Sequence, residues 1–187
     1  MKIASLRTYY TKMVDIGKYA FCIETDKTGS LIENKDIYDR AKSFENVDFI
    51  GDPFKQKDDI QKILTRLYKF NPKINITIYT PGQIKPTGIS KYNVNYIILV
   101  PLKNTGQPFS QRIVHSTISW YNGMGAKFVF AIHNMNELDE SITIVNSLNI
   151  KKNQVYILLA NDEAADNKKI LDYVKGHNYN ITFNIEI

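Results

Sequence analysis

A six-strand, mostly parallel α/β sheet is the fold class this sequence predicts, on three observations. Short apolar runs alternate with longer segments of helical period along most of the chain. Strand, helix, strand at this spacing means parallel strands joined by right-handed crossovers. No Ser/Gly-rich linker, low-complexity run or internal repeat divides the 187 residues, so a single domain spanning 1–187 is expected.

The elements follow in order. Tyr19 to Thr25 reads as a strand with a turn after it, and Ile37, Ala41 and Phe44 mark one face of a helix over about 33–44. Val47 to Gly51 is the second strand. Ile60, Ile63, Leu64 and Leu67 then define a helix over about 55–70. Asn75 to Thr80 alternates as a third strand should, and Tyr96 to Leu102 is apolar on both faces, as a doubly buried parallel strand is. Pro81 to Asn95 holds two prolines and two glycines and is not expected to carry a full helix. Ser110 to Tyr121 reads as a helix and Ala126 to Ile132 as a strand. Leu138, Ile142, Val145 and Leu148 form the next helical face, with Asn136 as its N-cap. Gln154 to Ala160 is a strand, Asp166 to Lys175 a helix stopped by Gly176, and Asn180 to Ile187 a closing strand. Residue pattern alone leaves an incomplete barrel and a doubly wound sheet both open.

Composition excludes several function classes. One cysteine rules out an intrachain disulfide framework and any multi-cysteine metal or cluster site. The longest apolar run, Tyr96 to Leu102, is far short of the ~20 residues that span a bilayer, and the first residues carry no signal-peptide core. A cytoplasmic protein without a membrane partner is expected. The net charge of +5 invites a nucleic-acid reading, yet the 24 basic residues are 20 Lys and only 4 Arg. Arginine is the preferred contact for phosphate and base edges, and the Lys, Ile and Asn excess matches AT-rich codon bias, so nucleic acid is not favoured.

Parallel α/β sheets place function at the C-terminal ends of their strands. That rule selects Glu24, Asp52, Thr80, Lys103, His133 and Asp162 as ligand-binding candidates. The structural alternative is that loops are polar and helices need caps; Asp52 before Pro53 fits an N-cap with proline at the first helical position. No catalytic or metal constellation is assigned. Phosphate-binding, dinucleotide and nucleophile-elbow motifs are absent, and Cys22 lies inside a strand as a buried thiol.

The order of these pieces resembles the radical S-adenosylmethionine (SAM) enzymes, and among them the 7-carboxy-7-deazaguanine synthases. Ile50-Gly51-Asp52-Pro53 is similar to the family's Gly-Gly-Glu-Pro motif, which would place Asp52 at the SAM amino group. Residues 78–86 resemble its Glu-Thr-Asn-Gly-Thr segment, Leu99 to Lys103 its Ser-Pro-Lys stretch, and Ala126 to Phe130 its Lys-Phe-Val-Val strand. The resemblance implies an incomplete (β/α) barrel. It also implies three cluster thiolates after the first strand, and those are missing: Thr25 runs through Asp26 to Ser30 directly into the next helix. Lys12 to Gly17 likewise replaces the family's Gln-Gly-Glu segment. The reading is a degenerate relative without an iron–sulfur cluster, acting as a non-catalytic binding or structural partner, in a larger assembly or as a homo-oligomer. A cluster-free binder or enzyme holding a nucleoside or SAM-like ligand at the strand ends is the alternative, and nucleic-acid association the third. No resident cofactor is expected beyond residual SAM or nucleoside binding.

Overall fold

The computed structural model describes residues 1–11, 18–26, 28–89, 92–159 and 164–182. Nine strands form one sheet: β1 (Lys2–Thr11), β2 (Lys18–Thr25), β3 (Ser30–Leu31), β4 (Asn46–Gly51), β5 (Asn75–Thr80), β6 (Val94–Leu99), β7 (Lys127–Ile132), β8 (Val155–Leu159) and β9 (Asn180–Thr182). Their order is β3-β1-β2-β4-β5-β6-β7-β8-β9. From β2 to β9 every pair is parallel, whereas β1 is antiparallel to β2 and β3 antiparallel to β1. The mostly parallel sheet is as expected; among the described residues it holds nine strands, where the six-strand core and its closing strand account for seven, and β1 and β3 are the additions. The closing strand is seen over Asn180–Thr182, and its continuation 183–187 lies outside the described residues.

The added strand β1 escapes pattern reading for a physical reason. Its register against β2 shifts between Ile3 and Ser5. A bulge reverses the alternation, so Ile3 and Leu6, three apart, both pack into the main core.

Six helices connect the strands: α1 (Asn34–Ala41), α2 (Lys57–Phe70), α3 (Phe109–Arg112), α4 (His115–Gly123), α5 (Met135–Ser147) and α6 (Ala164–Gly176). The main core joins one parity of strand residues, such as Phe21, Ile23, Phe49, Ile76, Ile78, Phe128 and Phe130, to the buried faces of α1, α2, α4, α5 and α6. The other parity forms a smaller cluster of Tyr79, Ile97, Val129 and Leu158, with no helix residue in it. The helices therefore cover one face of the sheet. Sequential order from β4 to β9 with single-sided helices is the barrel arrangement, left open here between β3 and β9; a doubly wound sheet would carry helices on both faces.

Three helix boundaries differ from expectation. The segment 110–121 breaks into α3 and α4 because the β-branched pair Ile113 and Val114 adopts extended backbone, which buries Ile113. The N-cap of α5 is Asn134, not Asn136: its side chain accepts from Glu137 N–H at 3.1 Å. At the end of α6, Gly176 stays helical, and the left-handed residue is Asn178 with φ 58°. Among the described residues no helix is long and apolar enough to cross a membrane.

Candidate functional site

An open cavity of about 460 Å³ lies at the C-terminal ends of β2, β4, β5 and β6. Ile50, Pro81 and Leu99 supply apolar wall, Thr25 and Gly51 backbone edge, and Asp26 and Asp52 carboxylates, with Lys55 and Gln56 beside them. Alternation produces the wall. Val47 and Phe49 face the helices, so Ile50 faces away from them; Leu99, beside buried Ile98, does the same on β6. At the mouth, Thr25 Oγ1 donates to Ile50 O at 3.0 Å, joining the ends of β2 and β4.

Asp52 occupies the cap position of a 3-10 turn, Pro53–Gln56, that leads into α2. Its carbonyl accepts from Lys55 N–H at 3.1 Å, as a cap residue's should. Its side chain makes no cap hydrogen bond. Oδ2 instead lies 2.7 Å from Lys55 Nζ, and the side chain is only 10% exposed. Among the described residues neither buried oxygen, Oδ1 or Oδ2, has a hydrogen-bond partner, so the Lys55 contact is an ion pair alone. The backbone half of the capping expectation holds, and the carboxylate half does not.

Glu24, Thr80, Lys103 and His133 share the strand-end edge with Asp52 without lining this cavity. Glu24 accepts from Ser5 Oγ at 2.8 Å, across to β1. Thr80 is buried with its Oγ1 accepting from Gly82 N–H at 3.3 Å, which braces the turn after β5. Lys103 and His133 belong to a separate polar cluster farther along the sheet. There Lys103 N–H donates to Glu140 Oε2 at 2.9 Å, and Asn104 Nδ2 to Glu137 Oε1 at 3.1 Å. His133 Nδ1 lies 2.9 Å from Glu137 Oε2, and Glu140 Oε1 pairs with buried Arg112 at 2.9 Å. Asp162 lies outside the described residues. Lys55, Arg112, Glu137 and Glu140 are the polar participants that sequence reasoning misses; each sits inside or beside a helix, and only its tertiary partner reveals it.

A four-iron cluster of the radical SAM kind does not fit these residues. It needs three thiolates, and the chain's one cysteine, Cys22, is fully buried in mid-β2. Burial pushes its thiol up to about 11, against the lowering influence of Arg7. Between β2 and α1, where the resemblance expects a cluster loop, Asp26 accepts from Thr28 N–H at 3.0 Å and from Thr28 Oγ1 at 2.9 Å. The chain then enters β3 and pairs with β1. Among the described residues no three His, Cys, Asp or Glu side chains converge to hold a metal ion. Anaerobic reconstitution with iron and sulfide, followed by iron and acid-labile sulfide analysis, is expected to give no stoichiometric cluster. Four irons per chain would overturn the assignment.

No protein-family model matches this chain, and no curated protein sequence does. Among solved structures it is similar to QueE from Escherichia coli, with a TM-score of 0.66 over 99% of this chain and 94% of that one, at 9% identity. QueE is a 7-carboxy-7-deazaguanine synthase, a radical SAM enzyme. The likeness is one of fold: this chain has the open, radical SAM-like β/α architecture without the thiolates of its chemistry.

Proposed function

We propose that this chain is a non-catalytic, cluster-free binding protein that holds a small nucleoside-like ligand bearing a cationic amine in its strand-end cavity. The observation that carries this reading is Asp52: a carboxylate lining the cavity, with neither oxygen hydrogen-bonded among the described residues and one of them ion-paired to an i,i+3 lysine. A buried, half-satisfied carboxylate is costly unless something completes it. A ligand ammonium would complete it by displacing Lys55, whose side chain is 39% exposed and whose ion pair is cheap to break. Ile50, Pro81 and Leu99 would take the flat face of a nucleoside, and the cavity volume lies within the usual range for small-molecule sites. Radical catalysis forms no part of this role, because one buried thiol cannot replace three loop thiolates.

Calorimetric titration and thermal shift with SAM, S-adenosylhomocysteine and adenosine test the reading. A ligand at 100 times its dissociation constant adds about 2.7 kcal/mol of stability. Asp52→Asn is expected to melt like wild type while binding SAM about tenfold more weakly, since a charge-assisted bond becomes neutral. Lys55→Ala is expected to tighten binding by removing the competing cation. Unchanged SAM affinity in Asp52→Asn, or no shift from any of these ligands at millimolar concentration, would defeat the proposal.

A further inference from the structure

On the outer surface, away from the strand-end cavity, α1 and α2 enclose a groove formed by two adjoining cavities of about 800 and 520 Å³. Lys35 of α1 and Arg66 of α2 line both, so the two are continuous. The groove begins at Leu31, in edge strand β3, and ends at Phe70, the last residue of α2. These are the two most exposed large apolar side chains among the described residues, at 80% and 59%. Exposed apolar groups gathered in one concave surface are a mark of interaction sites.

Charge runs along the same groove. Lys62, Arg66 and Lys69 lie at i, i+4 and i+7 on α2, which puts them on one helix face, and Lys35 stands opposite on α1. Among the described residues no carboxylate lies within ion-pair distance of these four cations; of the four acids lining the groove, Asp39 and Asp59 are already engaged, and Glu33 and Asp58 line only the larger cavity. Asp39 holds Lys42 at 2.7 Å. Asp59 holds the Met1 ammonium at 3.4 Å and accepts from Asn34 Nδ2 at 2.9 Å.

We infer that this groove docks an acidic amphipathic helix of a partner protein, with apolar side chains seated against Leu31 and Phe70 and carboxylates meeting Lys35, Lys62, Arg66 and Lys69. The fourteen residues of α2 span about 21 Å at 1.5 Å per residue, room for a helix of similar length to lie alongside. A nucleic acid would use the four cations but leave Leu31 without a role. The aromatic rings also make a poor stacking platform: Lys42 Nζ sits 5.4 Å from the Tyr38 ring, and Phe70 meets that ring edge-on at 6.4 Å. The docking surface is independent of the small-molecule reading.

Fluorescence anisotropy tests it with a labelled, designed peptide: an amphipathic helix with leucines on one face and glutamates flanking them. Micromolar binding is expected, and none by the same peptide with lysines in place of the glutamates. The double variant Lys62→Glu/Arg66→Glu should weaken binding at least tenfold, with an unchanged melting curve. Leu31→Ser, at a site that is mostly solvent-exposed, should weaken it several-fold; Phe70→Ser adds the second anchor. SAM titration of these variants should match wild type. No binding of the glutamate peptide at 1 mM overturns the inference, as does equal binding by the charge-reversed variant. Tighter binding of a single-stranded RNA, with a steep loss as salt rises, would reassign the groove to nucleic acid.

Discussion

Gly51→Ala is expected to destabilise the protein by about 3 kcal/mol or more and to disturb the strand-end cavity with it. Gly51 closes β4 with φ 102°, a conformation that side-chain-bearing residues avoid at a cost of about 1–3 kcal/mol. A second effect adds to the first. A Cβ at this position would sit 2.5 Å from the carbonyl oxygen of Thr25, the residue paired with Gly51 across the parallel ladder. Neither backbone can yield alone, because Thr25 is also tied by its hydroxyl to Ile50 O. Gly125→Ala is the control. Its φ of 78° is also positive, but a Cβ there meets nothing within 4 Å, so it carries the conformational cost without the collision. In a chain of this length each kcal/mol moves Tm by roughly 2–4 °C, so Gly51→Ala should melt about 6–12 °C below wild type. Gly125→Ala, which carries the conformational cost alone, should fall by less. Equal losses would mean that the close approach of β2 and β4 contributes nothing.

Much of this architecture is legible where one periodicity governs an uninterrupted segment. Ile60, Ile63, Leu64 and Leu67 announce α2, and all four are buried as their spacing requires. Asn75 to Thr80 does the same for β5. Legibility fails where a local irregularity breaks the period, as with the bulge in β1 and the extended pair Ile113 and Val114. The site is legible in position more than in partnership. Strand ends locate Asp52, and the following proline correctly marks the start of a helical turn. Which way the carboxylate turns depends on competition between the cap N–H groups and Lys55, and no spacing rule decides that contest. Ile50 and Leu99 are equally opaque: an apolar residue on a doubly buried strand reads the same whether it faces a helix or a cavity wall.

Arg112→Ala is expected to cost about 3–5 kcal/mol, because this side chain holds the loop after β6 to the body of the protein. Its side chain is 4% exposed, and its guanidinium pairs with Glu140 of α5 at 2.9 Å. Nε donates to Gln107 O at 2.9 Å, and Nη1 donates to Pro101 O at 2.9 Å. Removing the fork leaves two carbonyls without their donor and Glu140 with only the Lys103 N–H, and a broken buried pair costs more than the intact pair contributes. Lysine offers one compact ammonium where three separate acceptors wait, so Arg112→Lys should recover only part of the loss. Glu140→Gln keeps an acceptor for Lys103 N–H and should be milder than either. Melting curves give the ranking, and native-state hydrogen exchange across residues 101–112 locates the damage. A double-mutant cycle of Arg112→Ala with Glu140→Ala should return a coupling of about 0.5–3 kcal/mol, as expected for residues in contact. If Arg112→Ala melts within 2 °C of wild type and exchange in the loop is unchanged, the loop is held by its own turn, Leu102 to Thr105, and the Arg112–Glu140 pair is incidental.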